Sequence, residues 1–366
     1  MNRLLFLIFL LLIFSSCKKI SDNIIWEKSF GPGTAMFIKA TSDSGIISCG
    51  ESGGKQYFLY LDKNRNKVTE YKSSDDGLLS SAWTSNDCII AAGSKTGKML
   101  LMRLDNRGSK IWDTIFSTTY YIDRTSLSYL GNGELLAVGS ANPDSSDTGV
   151  TGLFFVWFDT TGAITNHDEI KGTTFIAAND FTTDYAGNIY LAMTRKGAAN
   201  PKAGIAKYNN LLQKIWETDL YNNPSFGAAS LGIKLDITGN IYVSGETELS
   251  VSTGVADNSF LASLTGSGSV RWKKYLEYAN SGSSLRLDDS GKPMMLNMNC
   301  FIIDILNPED GSSSGIIRTY SVCDSNNTDA FGLCIDLDYD GNVLMAGSKG
   351  GGFYLAIKSS FTQSPV

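Results

Sequence analysis

"ITGNIYVSGE" (residues 237–246) decides the fold: a turn closing in glycine, a short apolar run, then glycine and a polar residue. A glycine there supplies the positive φ that tight hairpins need. The phrase returns as "SDSGIISCGE" (42–51), "SNDCIIAAGS" (85–94) and "GNGELLAVGS" (131–140), then as "YAGNIYLAMT" (185–194), "DSGKPMMLNM" (289–298) and "YDGNVLMAGS" (339–348). The aligned positions are Gly45, Asp87, Gly133, Gly187, Gly239, Gly291 and Gly341, spaced by 42, 46, 54, 52, 52 and 50 residues. Seven copies at this period match the length of a four-stranded propeller blade.

A second phrase follows each copy: an apolar strand, a polar turn and a tryptophan position, as in "LDNRGSKIWDT" (104–114) and "LTGSGSVRWKK" (264–274). That column reads Trp26, Thr69, Trp112, Thr165, Trp216, Trp272 and Arg318. Four of seven are Trp in a chain holding six, so the column marks a repeated structural position. Each unit carries four β runs. In the unit around 230–275 they are "SLGIKLD", "NIYVSGE", "SFLASLT" and a strand beginning at Arg271–Trp272. Apolar runs of this length bounded by turns suit sheets covered on both faces.

The first tryptophan phrase, "IIWEKSF" (24–30), has no strands before it, and the last unit stops at its third strand near Lys358. The spacing therefore predicts an all-β, seven-bladed β-propeller with four-stranded antiparallel blades. Its ring is closed by the N-terminal strand pairing with the last blade, which leaves few open sheet edges. The chain resembles bacterial lipoprotein β-propellers with quinone-like (PQQ-like) repeats over about residues 24–358. Repeats of this kind define architecture rather than activity.

The N-terminus reads "MNRLLFLIFLLLIFSSCKK", with Arg3 followed by 11 apolar residues from Leu4 to Phe14. Such a run is shorter than the roughly 20 residues that span a bilayer, so it reads as a signal peptide. Its end, "IFSSC", resembles the lipobox of bacterial lipoproteins, which implies acylation (palmitate-type chains) on Cys17 and a bilayer anchor without a membrane helix. Lys18 holds the position at which an aspartate marks inner-membrane retention in that family, so the resemblance implies the outer membrane. The expected organisation is a signal peptide over 1–16, the acylated cysteine and tether over 17–23, a single propeller over 24–360 and a tail over 361–366.

From Cys17 onward the chain holds 30 Lys/Arg against 37 Asp/Glu, a net charge of −7. That balance argues against a nucleic-acid partner, which calls for a basic face. Beyond Cys17 the cysteines are Cys49, Cys88, Cys300, Cys323 and Cys334. Their odd number and the lack of a CxxC favour buried free thiols over a zinc site, with Cys323–Cys334 the pair best spaced for a disulfide.

Chemistry-bearing motifs are few. Asp336, Asp338 and Asp340 alternate before Gly341 like the start of an EF-hand loop, but the twelfth position is Gly347 rather than Glu. The stretch reads as a turn, with a weak cation site as the alternative. "TSDSGII" (41–47) lacks the aromatic of a sialidase Asp-box and is not repeated as one. His167, the only histidine, falls near the start of an outer strand, where a hydrolase base has no use. No redox constellation accompanies the tryptophans, so no cofactor is expected.

The connections between second and third strands, and those between blades, are long and dissimilar, and both classes emerge on one face. Variable loops on a rigid scaffold are where binding concentrates. Tyr120, Tyr121, Asp123, Arg124, Tyr221, Phe226 and Asp329 are the candidate ligand- or partner-binding residues. The reading is a monomeric, non-enzymatic, lipid-anchored scaffold that binds another envelope protein. The alternatives are a glycan- or small-ligand-binding surface lipoprotein and an enzyme with a central-channel site.

Overall fold

The computed structural model describes residues 24–85, 88–116, 121–142, 151–172, 175–195, 200–221, 227–251, 254–276, 282–297, 301–317 and 330–359. They form 27 strands, all in antiparallel sheets. Five sheets have four strands each. The first contains β9 (Tyr121–Gly131), β10 (Glu134–Asn142), β11 (Thr151–Asp159) and β12 (Ile164–Gly172). The second contains β13 (Phe175–Thr183), β14 (Ile189–Arg195), β15 (Lys202–Tyr208) and β16 (Lys214–Tyr221). The third contains β17 (Ala228–Leu235), β18 (Ile241–Val251), β19 (Gly254–Leu264) and β20 (Val270–Leu276). The fourth contains β21 (Gly282–Leu287), β22 (Pro293–Asn297), β23 (Ile302–Leu306) and β24 (Ser313–Ile317).

The fifth sheet joins the two ends of the chain. Its strands β25 (Ala330–Leu337), β26 (Val343–Lys349) and β27 (Gly352–Lys358) are followed at the outer edge by β1 (Ile24–Pro32). Ile24 stands opposite Lys358 and Pro32 opposite Gly352. Lys349 Nζ meets Glu27 at 3.3 Å, and the Tyr354 hydroxyl donates to the same carboxylate. The N-terminal strand thus completes the last sheet.

The sixth sheet is seven-stranded: β2 (Thr34–Ala40), β3 (Ile46–Ser52), β4 (Lys55–Leu61), β5 (Lys67–Thr84), β6 (Ile89–Lys95), β7 (Lys98–Leu104) and β8 (Lys110–Phe116). Its long strand β5 changes partner part-way. Residues Lys67 to Asp76 pair with β4, and Gly77 to Thr84 pair with β6. The switch falls on Gly77, whose φ of +146° and close approach to Ser94 O (2.1 Å from an added Cβ) admit no side chain.

The core lies between sheets rather than within one. Seven apolar clusters are present among the described residues, each spanning two neighbouring sheets or sheet segments. One brings Leu136 and Phe155 onto Phe181 and Leu191, and another brings Tyr242 and Leu261 onto Leu285 and Met295. A third joins Ile38 and Leu59 to Ala346 and Leu355, so the earliest and latest strands share one core. Each fully buried Leu, Ile or Phe contributes about 1.5–3 kcal/mol. This packing explains why the strands read as apolar runs instead of alternating patterns.

The tryptophan column serves the same contact. Trp272 Nε1 donates to Pro308 O at 3.0 Å and Trp216 Nε1 to Gly266 O at 3.2 Å, each in a turn of the next sheet. The rings lie flat against glycines. A Cβ on Gly311 would sit 2.6 Å from Trp272, one on Gly268 2.8 Å from Trp216 and one on Gly162 2.9 Å from Trp112. Repeated Trp and turn glycine are two halves of one joint between sheets.

Candidate functional site

Each sheet has two ends. The second-to-third-strand connections, expected to be long, are not uniformly so: β3–β4, β6–β7 and β26–β27 are joined by residues 53–54, 96–97 and 350–351 alone. Turns joining the first to the second strand, and the third to the fourth, lie at the short-turn end. Connections between second and third strands, and between sheets, lie at the loop end. The short turns share one device. Asp184, Asp236, Asp288 and Asp338 each accept, through Oδ1, the N–H groups two and four residues on, at 2.8–3.0 Å. β1 runs antiparallel to β27, so Ile24 begins at the short-turn end and Pro32 finishes at the loop end.

The innermost strands β2, β5 (from Gly77), β9, β13, β17, β21 and β25 surround one central cavity of about 480 Å³. Side chains stitch these strands together. Ser80 Oγ donates to Thr125 O (2.7 Å), Asn179 Nδ2 donates to Ser230 O (2.7 Å), and the Ile335 N–H donates to Ser284 Oγ (3.3 Å). Two carboxylates do the same work: Ile233 N–H donates to Asp180 Oδ2 and Ala40 N–H to Asp336 Oδ2, both at 3.1 Å.

One register position recurs around the cavity. Opposite Ile47, Ile90, Leu136, Tyr190, Tyr242, Met294 and Leu344 stand Lys39, Trp83, Ser128, Thr182, Lys234, Arg286 and Asp336. All but Thr182 line the channel. Lys234 pairs with Asp180 at 3.1 Å. Arg286 Nε lies 3.0 Å from Asp336 Oδ1, as an ion pair without hydrogen-bond alignment. Lys39 has no hydrogen bond or ion pair among the described residues. Burial pulls its pKa below the usual lysine value; Asp336 opposes that pull, while Arg286 and Lys234 add to it. Trp83 and Tyr129 stack on the same wall, 4.5 Å between centroids at 16°.

A larger hollow of about 1000 Å³ lies at the short-turn end, between turns that present Tyr185 and Ile237. Both side chains are almost wholly exposed, at 108% and 98%, and Tyr339 (68%) and Leu211 (71%) project from turns at the same end. Neither hollow coincides with the loop residues singled out from the sequence.

Those residues are placed as follows. Cys17, Tyr120, Phe226 and Asp329 lie outside the described residues. Tyr121, Asp123 and Arg124 belong to the opening of β9 at the loop end, Tyr121 opposite Asn142. Tyr221 closes β16 at the loop end but is buried, its ring 6.2 Å edge-on from Tyr275 and capped by Lys273 Nζ at 5.5 Å. It belongs to the core between two sheets. Asp336, Asp338 and Asp340 do not converge: Asp336 turns to Arg286 and Ala40, Asp338 to its own turn, and the Asp340 backbone N–H donates to Asp338. His167 projects from the outer strand β12, opposite Val156 and 5.4 Å from the Phe116 ring. Cys49 and Cys88 are buried thiols, and burial pushes Cys334 up to about 11. Cys323 lies outside the described residues.

Sequence reasoning passed over the charged tier of the channel. Its signal was present: the penultimate residue of an inner strand is Lys39 in "TAMFIKA", Lys234 in "AASLGIKL", Arg286 in "GSSLRL" and Asp336 in "AFGLCIDL". A charge recurring there, inside otherwise apolar segments, marks a wall that faces water.

No protein-family model matches the chain, and no curated protein matches it. Solved structures do. The WD40 domain of Pan2 from Neurospora crassa superposes with a TM-score of 0.60 at 11% identity, covering 94% of this chain and 98% of that one. Virginiamycin B lyase from Staphylococcus aureus gives 0.63 at 9% identity, covering 92% and 99%. At such identities the likeness carries the fold alone. The chain is an all-β propeller with four-stranded antiparallel blades.

Proposed function

We propose that this chain is a lipid-anchored, seven-bladed propeller with quinone-like repeats. It stands on the outer membrane of a bacterial envelope and acts as a non-catalytic scaffold that grips an envelope protein through its loop end. Counting the two pairing runs of β5 separately gives seven blades, the last completed by β1. The observation that carries the orientation is the position of Ile24 at the short-turn end. Six residues, Lys18 to Asn23, separate it from Cys17, a reach of roughly 20 Å at most. With acyl chains on Cys17, the short-turn end faces the bilayer and the loop end faces away.

The exposed tips support the same orientation. Tyr185, Ile237, Tyr339 and Leu211 project from the tethered end, and aromatic and apolar side chains of this kind settle at a membrane interface. The loop end keeps Tyr121, Asp123 and Arg124 free of the membrane, on the scaffold edge where partners bind. The test is crosslinking in intact cells followed by pull-down, comparing the native chain with a Tyr121→Ala/Arg124→Ala variant. Loss of a specific envelope protein from the variant supports the reading. An unchanged partner set, or retention on a glycan array with no protein captured, contradicts it.

A further inference from the structure

We propose that the central channel is a binding site for a small oxyanion, a carboxylate or phosphate group, with Lys39 as its principal contact and Arg286 and Lys234 beside it. The inference does not depend on lipid anchoring or on a protein partner. Charge accounting within the cavity carries it. Three cations line the channel against two carboxylates, and both carboxylates are already engaged. Asp180 holds Lys234 and the Ile233 N–H; Asp336 faces Arg286 and holds the Ala40 N–H.

Lys39 is left over. It is half-buried, and among the described residues it has no hydrogen bond or ion pair. Burial disfavours its charge; Asp336 opposes that, without pairing to it, while Arg286 and Lys234 add to it. A protein could remove this cost by placing an apolar residue at position 39, as Trp83 stands at the matching position of β5. A bound anion removes it instead, by supplying the counter-charge and accepting the idle donors. The Arg286 side chain, which lines the cavity and is 43% exposed, makes no hydrogen bond among the described residues and offers further N–H groups to the same guest. A cavity of about 480 Å³ admits a small molecule bearing one such group. The charged tier lies near the short-turn mouth, because Lys39, Lys234, Arg286 and Asp336 each stand one residue before the end of their strands. The oxyanion can therefore arrive free in solution or on a lipid headgroup.

The test uses the full-length chain in detergent, titrated with inorganic phosphate and with acetate. The lysines carry 13C-methyl labels, and Lys39 is assigned by its loss in Lys39→Met. A saturable shift of the Lys39 signal, with its titration moved to higher pH, is the expected result. Binding should weaken about tenfold or more in Lys39→Met and persist in Lys39→Arg. A parallel arm uses vesicles of phosphatidylglycerol against phosphatidylcholine. Binding of free anion lost in Lys39→Met assigns a soluble guest, and phosphatidylglycerol-specific binding lost in the same variant assigns a headgroup. The proposal fails if neither anion nor vesicle saturates the Lys39 signal, or if binding is unchanged in Lys39→Met. An unchanged melting temperature in both variants keeps misfolding out of the comparison.

Discussion

Asp336 accepts the backbone N–H of Ala40 at 3.1 Å, across 296 residues of sequence. The contact ties the last inner strand to the first. Asp336 also faces Arg286 on the strand before it, so one carboxylate spans three consecutive sheets. Replacing it with alanine strands a donor and leaves a cation without its partner. Asp336→Ala should therefore lose about 1–3 kcal/mol of stability in urea denaturation. Asp336→Asn keeps an acceptor for Ala40 and should lose less. Equal stability of all three proteins would show that the contact contributes nothing.

The Trp272–Gly311 joint makes a sharper prediction. Trp272→Ala removes a buried indole and should cost about 3–5 kcal/mol. Gly311→Ala forces a Cβ at φ +68° to within 2.6 Å of that indole. Gly133 has a similar φ of +81° with nothing within 4 Å of an added Cβ, so Gly133→Ala should cost only about 1 kcal/mol. Combining Trp272→Ala with Gly311→Ala should give less than the sum of the two losses, because the clash vanishes with the ring. Additive losses in a double-mutant cycle would mean the two residues do not share a joint.

Stability should fall at both extremes of pH, for different reasons. The Thr161 hydroxyl and the N–H groups of Ala163 and Thr161 hold Asp159 below the ordinary carboxylate range. Asp236 is held down as well: burial works against it, but Thr238 and Asn240 outweigh burial. A depressed folded pKa stabilises above the unfolded value near 4 and is lost as pH drops through the folded value. Melting temperature should decline as pH falls below about 4, and Asp236→Asn should flatten part of that limb. At the alkaline side, burial pushes Tyr60 and Tyr208 up to about 12. Their contribution is present below pH 10 and lost as pH rises toward 12. Absorbance at 295 nm should show tyrosines ionising late, and a single transition near 10 would rule that out.

Closure through β1 has its own readout. Deleting residues 24–30 removes the strand that pairs with β27 and the Glu27 acceptor of Tyr354 and Lys349. An exposed β27 edge and an opened core between the first and last sheets should abolish single-step thermal unfolding. A truncated chain that melts in one transition at the native temperature would show that the ring does not need this strand.

The architecture was legible because it repeats. The glycine turns and tryptophan column were visible as spacing, and "IIWEKSF" pointed to the pairing of β1 with β27. What escaped was non-periodic or inverted. Tyr221 looks like a loop residue from its neighbours, yet Tyr275 and Lys273 draw it into the core. The stretch at Asp338 and Asp340 reads as a turn, but the alternating acids give no sign that Asp336, still inside β25, faces the channel while Asp338, beyond the strand's end, caps the turn. The charged tier was hidden because Lys39 lies far along the chain from Lys234, Arg286 and Asp336, with uncharged Trp83, Ser128 and Thr182 at the matching positions between them. Only closing the sheets around an axis makes them neighbours.

The proposed orientation puts the short-turn end toward the bilayer and the loop end away from it. Lys98 is exposed at the start of β7 on the loop end, and Tyr339 projects from the short-turn end. The direct measurement places a nitroxide at Tyr339→Cys or Lys98→Cys of the acylated protein on vesicles, with Cys300 and Cys323 replaced by serine. Collisional relaxation by oxygen and by a membrane-bound nickel chelate then reports depth. The account predicts strong relaxation at position 339 and solution-like behaviour at position 98; the reverse order, or equal values at both, would contradict it.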